Sequence, residues 1–440
     1  MDWIIPSCEL TEKLGGGQKP RAGVRYRQTK HCITCPCTAG TLAYHTLTGA
    51  LVLLRQGEDW ESERDALIEN RFLVPEDADE RVYADQLSSI ALMLGRKGEG
   101  RTAFTILTTT DCNAHCYYCY ELGIRRIPMT EQTAQDTADY ITRVCKGKPV
   151  SISWFGGEPL YNRPAIEQIC ARLRENHIEY ESGMVSNGFY LDAETAQHAA
   201  RAWNLKKVQI TLDGPEQEYN RIKAYIDRDE NPYHRVIGNI RGALDAGIRV
   251  VIRLNMDASN AASLLRLADD LGGTFRDDPR PEVYVALLHA FAGKIHEHDT
   301  DDEAEQAFFA LCDRLDAHGL LRRKELQKGP RTVRCMADDD AAEVILPDGR
   351  VGRCEHFSEA MVSGSIHSEK RDAAVTKAWK EPLRVPECAD CALYPQCGRL
   401  KRCEWNLDGC SGLERQIRTK QIRKQMLDAF REYTNGGKEK

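Results

Sequence analysis

Between residues 103 and 318 the chain alternates short runs rich in β-branched and apolar residues with longer runs of helical periodicity, six times over. The strand-like runs are 103–109, 149–155, 180–186, 206–212, 248–255 and 282–288. The helical patterns between and after them are Glu131–Val144, Ala165–Asn176, Ala193–Trp203, His234–Ala246, Ala261–Leu271 and Ala304–His318. Thr130 and Asp192 stand where N-caps belong, each able to accept from the first-turn amides. Such alternation predicts an α/β fold with a parallel sheet, because each parallel pair needs a crossover long enough to hold a helix. The repeats alone leave open whether the sheet is flat or curls into a barrel. In both, the chemistry sits at the C-terminal ends of the strands.

Those strand ends carry the polar signals. Directly after the first, Asp111–Glu121 reads Asp-Cys-Asn-Ala-His-Cys-Tyr-Tyr-Cys-Tyr-Glu, spacing Cys112, Cys116 and Cys119 as C-x3-C-x2-C. Three closely spaced thiolates can hold three corners of a cubane iron–sulfur cluster, whose fourth iron is usually also held by cysteine. The neighbouring chain offers no fourth, which would leave one iron open to substrate. A structural zinc site completed by His115 or a distant residue is the other reading. After the second strand comes Trp154-Phe155-Gly156-Gly157-Glu158-Pro159-Leu160, where two glycines let backbone approach a ligand and Glu158 can accept from an amine. Ser186-Asn187-Gly188, Thr211-Leu212-Asp213-Gly214, and Arg253 with Asn255 end the next three strands. Loop capping is the plain alternative for each, and Asp213 reads as shaping its turn.

Seventeen cysteines are many for a chain of 440 residues, and ten of them fall in two groups, at 112–119 and 335–410. Clustering of that kind indicates metal rather than disulfides in a reducing compartment. The first residues lack the basic and apolar regions of a signal peptide, and no apolar run reaches membrane-spanning length, so a cytoplasmic protein is expected. A net charge of −7 argues against a dedicated nucleic-acid binder.

The flanks differ from the centre. Within 1–97, Gly15–Gly17 and the basic stretch Lys19–Lys30 suggest an irregular opening. Thr41–Leu54 reads as a hairpin turning at Thr48-Gly49, followed by helices over Glu61–Asn70 and Tyr83–Leu94 with an extended piece, Phe72–Pro75, between them. Cys32, Cys35 and Cys37 could ligate a metal, although no second pair lies nearby. From 331 to 412 the sequence is cysteine-rich with few periodic runs, as expected of a segment held by metal, and 413–432 is helical again. Cys8, Cys145, Cys170 and Cys312 have no partner spacing; a buried thiol in a helix is a small hydrophobe. The acidic run Asp299–Glu305 reads as solvated charge opening a helix.

The C-x3-C-x2-C loop, with Tyr118 before its last cysteine and Gly156-Gly157-Glu158-Pro159 further on, resembles the radical S-adenosylmethionine (SAM) superfamily. The resemblance implies a partial (β/α)6, TIM-like barrel, with Cys112, Cys116 and Cys119 holding a SAM-binding 4Fe–4S cluster. Gly156, Gly157, Glu158 and Pro159 match the motif that grips the SAM amino group, and Ser186, Thr211 and Asn255 match positions near its ribose, carboxylate and adenosine. The pattern Cys335-x13-Gly-x4-Cys354, Cys388-x2-Cys391-x5-Cys397, then Cys403 and Cys410 is similar to the SPASM extension, which binds two auxiliary 4Fe–4S clusters. By that resemblance Cys335, Cys354 and Cys403 serve the inner cluster and Cys388, Cys391, Cys397 and Cys410 the outer one. The five residues from Cys397 to Cys403, where the family has three, weaken the Cys403 match. A zinc ribbon over Cys388–Cys410 is the alternative.

The implied organisation is a winged-helix-like leader-peptide recognition domain at 1–97, a radical SAM core at 98–330, and a SPASM domain with a C-terminal helix at 331–440. The same resemblance implies a maturase that abstracts hydrogen from a ribosomally made precursor peptide and installs a thioether or carbon–carbon crosslink, fed by an electron donor such as flavodoxin or ferredoxin. A maturase resembling the anaerobic sulfatase enzymes, which oxidise a protein Cys or Ser, is the rival enzyme. A non-catalytic iron–sulfur electron carrier is the rival from another class, and has no use for an amine-gripping loop.

Overall fold

The computed structural model describes residues 1–11, 19–95, 98–227, 231–257, 259–288, 301–356, 361–403 and 409–436. The Gly15–Gly17 opening, residues 299–300 of the acidic run and the tail beyond 436 lie outside them. The chain forms two compact units, each discontinuous in sequence: 1–96 with 323–335 and 380–440, and 97–322 with 336–379.

The first unit is built on a four-stranded antiparallel sheet of order β1-β5-β4-β3, from β1 (Asp2–Ile5), β3 (Cys32–Cys37), β4 (Gly40–His45) and β5 (Leu51–Arg55). β2 (Tyr26–Gln28) pairs β6 (Leu73–Pro75) as a separate ribbon, so part of the expected irregular stretch Lys19–Lys30 is strand. The hairpin is β4–β5; Gly49 turns it at φ +76°, and a Cβ there would meet the backbone of Lys328 and Gly329 within 3 Å. Both strands of this hairpin are interior to the sheet, with β1 and β3 as its edges. The helices are Arg64–Glu69 and Glu80–Leu94, the second capped by Asp79. The helix Gly412–Gly436 follows in the same unit and lends Met426 and Phe430 to a core with Ile33, Cys35, Leu42 and Leu53.

In the second unit, β7 (Ala103–Thr109), β8 (Val150–Gly156), β9 (Tyr180–Ser186), β10 (Leu205–Leu212), β11 (Arg249–Met256) and β12 (Glu282–Leu287) pair in parallel, each with the next in sequence. An order that never reverses, joined by right-handed crossovers, places all the helices on one face and leaves the other to line an interior. That is the order of a barrel rather than of a doubly wound sheet. The helices begin where the capping residues stand: Thr130 accepts from the Thr133 amide and Asp192 from that of Thr195. Three further strands, β13 (Ala342–Ile345), β14 (Arg350–Gly352) and β15 (Val362–Ser365), extend this sheet beyond β7. β13 runs parallel to β7, Ala342 opposite Ala103, so the barrel's sheet takes strands from beyond residue 330. No helix among the described residues is long and apolar enough to cross a membrane.

Candidate active site at the strand ends

The loop carrying Cys112, Cys116 and Cys119 leaves the C-terminal end of β7 and is held by the backbone of its neighbours. The His115 amide donates to the Lys223 carbonyl at 2.8 Å and the Ile226 amide to the Asn113 carbonyl at 2.9 Å. On the other side the Glu158 amide donates to the Asp111 carbonyl at 2.9 Å. Gly156 and Gly157 permit this approach. A Cβ on Gly156, at φ +119°, would lie 2.1 Å from the Thr109 carbonyl oxygen, and one on Gly157 would lie 2.3 Å from that of Asp111. The glycine pair therefore seats the loop after β8 against the residue preceding Cys112.

Burial pushes the Cys112 thiol up to about 12, with Glu158 adding to it, and the Cys119 thiol up to about 11. Cys116 is raised too, by burial first, with Lys223 opposing. Thiols in such a site ionise on binding metal, which releases their protons. All three lie on one short loop and each is half-buried, so the donor set fits a cluster bound from the strand ends.

Glu158 is completely buried, and its carboxylate accepts from the Leu160 amide (3.1 Å), the Ser186 hydroxyl (2.9 Å) and the Asn187 amide (2.8 Å). Burial lifts it to about 7 against these donors. Three of roughly four lone-pair directions are thus taken within the chain, leaving one for a ligand donor. Pro159 opens a 3-10 turn and its carbonyl accepts from Thr108. Ser186, the last residue of β9, is committed to Glu158, while Thr211 on β10 is half-buried beside Arg253 of β11.

A buried network that the sequence reading did not foresee lies behind the loop. Asp213 accepts from the Tyr118 hydroxyl (2.9 and 2.8 Å), from Asn255 Nδ2 (3.1 Å) and from Lys223 Nζ (3.1 Å). Lys223 also lies 3.3 Å from the Tyr118 hydroxyl. Burial alone would lower the lysine, but Asp213, then Cys116, Tyr118 and Tyr219 outweigh it and hold it well above its ordinary value. Asp213 is therefore a charge partner rather than a turn former. Asn255 faces it, with Oδ1 accepting from Arg253 at 2.7 Å. Lys223 had no sequence signal beyond its distance from Asp213.

Four of the C-terminal cysteines come together. Cys388, Cys391, Cys397 and Cys410 line one pocket with Arg399, Glu414, Arg415 and Arg418. Among the described residues no three His, Cys, Asp or Glu side chains are drawn onto one point as a single ion requires. The four cysteines line one pocket, and four thiols is the number a cubane takes. Of the expected inner set, Cys354 follows β14 in the second unit, and Cys335 and Cys403 belong to the first. The amino-terminal trio does not converge. Strand alternation puts Cys35 and Cys37 in the core that includes Cys391 and Cys397, and Cys32 in the core of the opposite face with Trp3 and Phe72.

Residues 106–271 match the model of the Radical SAM superfamily, so this stretch is a radical SAM domain. The relatives and solved structures fill in its neighbourhood. The radical SAM cyclopropyl synthase TigE of Paramaledivibacter caminithermalis is 24% identical over 164 residues, 31% of this chain and 34% of that one. A probable GTP 3',8-cyclase of Methanocella arvoryzae is 25% identical over 59% of this chain and 80% of its own. The chain thus spans about a third of the first relative's length. Native anSMEcpe with bound AdoMet and Cp18Cys peptide aligns with a TM-score of 0.55 at 14% identity, over 77% of this chain and all of that one. Streptococcus suis SuiB bound to precursor peptide SuiA aligns with a TM-score of 0.51 at 12% identity, over 88% and 95%. These structures share the α/β fold with its mostly parallel sheet.

Proposed function

We propose that this protein is a SPASM-type radical SAM maturase acting on a ribosomally made precursor peptide and installing a thioether or carbon–carbon crosslink. The observation that carries the core of this reading is the seating of Gly156–Pro159 against Asp111, which joins a three-cysteine loop and a glycine-lined loop at adjacent strand ends. Cys112, Cys116 and Cys119 would hold a 4Fe–4S cluster, which with SAM supplies a 5'-deoxyadenosyl radical able to take hydrogen from an unactivated carbon.

The chain's own residues do the rest. Gly156 and Gly157 let their loop close against Thr109 and Asp111 beside the cysteine loop, and Glu158 would offer its remaining lone pair to the SAM amine. Thr211 lies near the end of β10, two strands on. Cys388, Cys391, Cys397 and Cys410 would hold one auxiliary cluster and Cys335, Cys354 and Cys403 another. A peptide substrate is supported by the two structural neighbours that carry peptides, SuiB with SuiA and anSMEcpe with Cp18Cys. Within the first unit β1 and β3 are the sheet edges to which a leader could add as a strand.

The test is anaerobic reconstitution with SAM. About twelve iron atoms per chain and release of 5'-deoxyadenosine are expected, and about eight iron with no SAM cleavage after Cys112, Cys116 and Cys119 are replaced by Ala. Tightly bound zinc in place of auxiliary iron would refute the two-cluster assignment. A peptide oxidised at one Cys or Ser with no new crosslink would favour the sulfatase-maturase alternative.

A further inference from the structure

The pocket of Cys388, Cys391, Cys397 and Cys410 is lined by three guanidiniums, those of Arg399, Arg415 and Arg418, and a single carboxylate, Glu414. Glu414 is ion-paired with Arg399, and the lining holds three guanidiniums against this one carboxylate. Arg418 is fixed where it stands, because Nη1 donates to the Cys397 carbonyl at 3.0 Å. Two arginines come from one helix, Gly412–Gly436, and Arg418 follows Arg415 by three residues, so both project from the same side of it.

Such a concentration of fixed charge around thiols has a physical consequence. A cluster bound by four thiolates is anionic, and its reduced form carries one negative charge more than its oxidised form. Nearby cations therefore stabilise the reduced form more, and net charge is among the factors that set an iron–sulfur potential. We infer that Arg415 and Arg418 form a cationic collar that raises the potential of the cluster bound in this pocket. The inference rests on the reading of these four cysteines as cluster ligands.

The experiment is an electron-paramagnetic-resonance redox titration of the full, reconstituted chain. The signal of this cluster is first identified as the one lost, with about four iron atoms, in Cys388→Ala/Cys391→Ala. Arg415→Gln is expected to keep the iron content and shift the reduced-to-oxidised ratio at fixed potential about tenfold towards the oxidised form, about 59 mV for one electron. Arg415→Lys, which keeps the charge and loses the planar fork, restores the midpoint. Arg418→Gln moves it in the same direction. A midpoint unchanged in Arg415→Gln, or displaced as far in Arg415→Lys, overturns the collar. Cysteine replacements that cost no iron would instead overturn the cluster assignment beneath it, an outcome read before any arginine variant.

Discussion

Lys223 Nζ lies 3.1 Å from Asp213 Oδ2, with both side chains almost wholly out of water. The pair joins the helix Glu216–Lys223 to the end of β10, and the backbone of the same lysine accepts from His115 inside the cysteine loop. A buried ion pair contributes little over an apolar replacement, but removing one partner strands the other charge. Lys223→Met is therefore expected to cost about 3–5 kcal/mol in urea unfolding. Adding Asp213→Asn should recover most of the loss. If the double variant is as unstable as the single one, the cost comes from packing rather than stranded charge.

The two glycines of the second loop differ in what they tolerate. Gly156 has φ +119°, where any side chain is strained, so Gly156→Ala combines about 1–3 kcal/mol of backbone strain with a clash on Thr109. Gly157 has no such dihedral, and its added Cβ would strike the Asp111 carbonyl, one residue from Cys112. Gly157→Ala is expected to displace the cysteine loop, giving lower iron retention and weaker SAM binding with a smaller loss of overall stability. Iron analysis beside a melting curve separates the two; full iron and wild-type SAM affinity in Gly157→Ala would refute the close seating.

The strands and helices of the second unit were legible in the sequence because their signals are local, whereas the barrel itself came from the family resemblance. The strand bounds follow apolar runs, and the helix Glu131–Val144 follows its cap, Thr130. What escaped depends on partners far along the chain. β13 is only four residues long, and nothing in Ala342–Ile345 says that it will pair with β7 rather than with its own neighbours. Asp213 looked like a turn residue because its charge partner, Lys223, comes from the following helix. The spacing of Cys32, Cys35 and Cys37 only left a metal site open, and strand alternation sends them to opposite faces. The resemblance to the SPASM pattern grouped Cys388, Cys391, Cys397 and Cys410, which line one pocket; the arginines beside them carry no motif.

Glu158→Gln tests how its carboxylate is used. Its oxygens accept from three donors, one of them the Asn187 amide on Oε2. A glutamine amide can replace one oxygen but turns an N–H towards one of these donors, leaving it unsatisfied at a cost of about 1–3 kcal/mol. The variant should lose that much stability and also weaken SAM binding, because the loop bearing Gly156 and Gly157 loses its anchor. Unchanged stability with weakened SAM binding would mean that the carboxylate serves only the ligand.

Two histidines stacked at 6.4 Å between centroids, His31 and His45, contribute a pH dependence to the first unit. His45 Nδ1 accepts from the amides of Leu47 and Thr48, so protonation there would turn an acceptor into a donor facing donors. Burial lowers His45 to about 3, with His31 adding to it, and lowers His31 to about 4 against the pull of Glu80. Both values lie below that of an unfolded histidine, about 6.5, so the unfolded chain binds more protons as pH falls. Their stabilisation is complete above pH 6.5 and is lost progressively from there to about pH 4 for His31 and about pH 3 for His45. At pH 5 the loss is about 2 kcal/mol for each histidine. Glu158, raised to about 7, acts with the opposite sign, so the total slope mixes the two. The difference between wild type and His45→Gln isolates the histidine contribution. Urea midpoints measured at pH 7.5 and pH 5 should fall further in the wild type than in the variant. Parallel falls would show that His45 titrates normally in the folded protein.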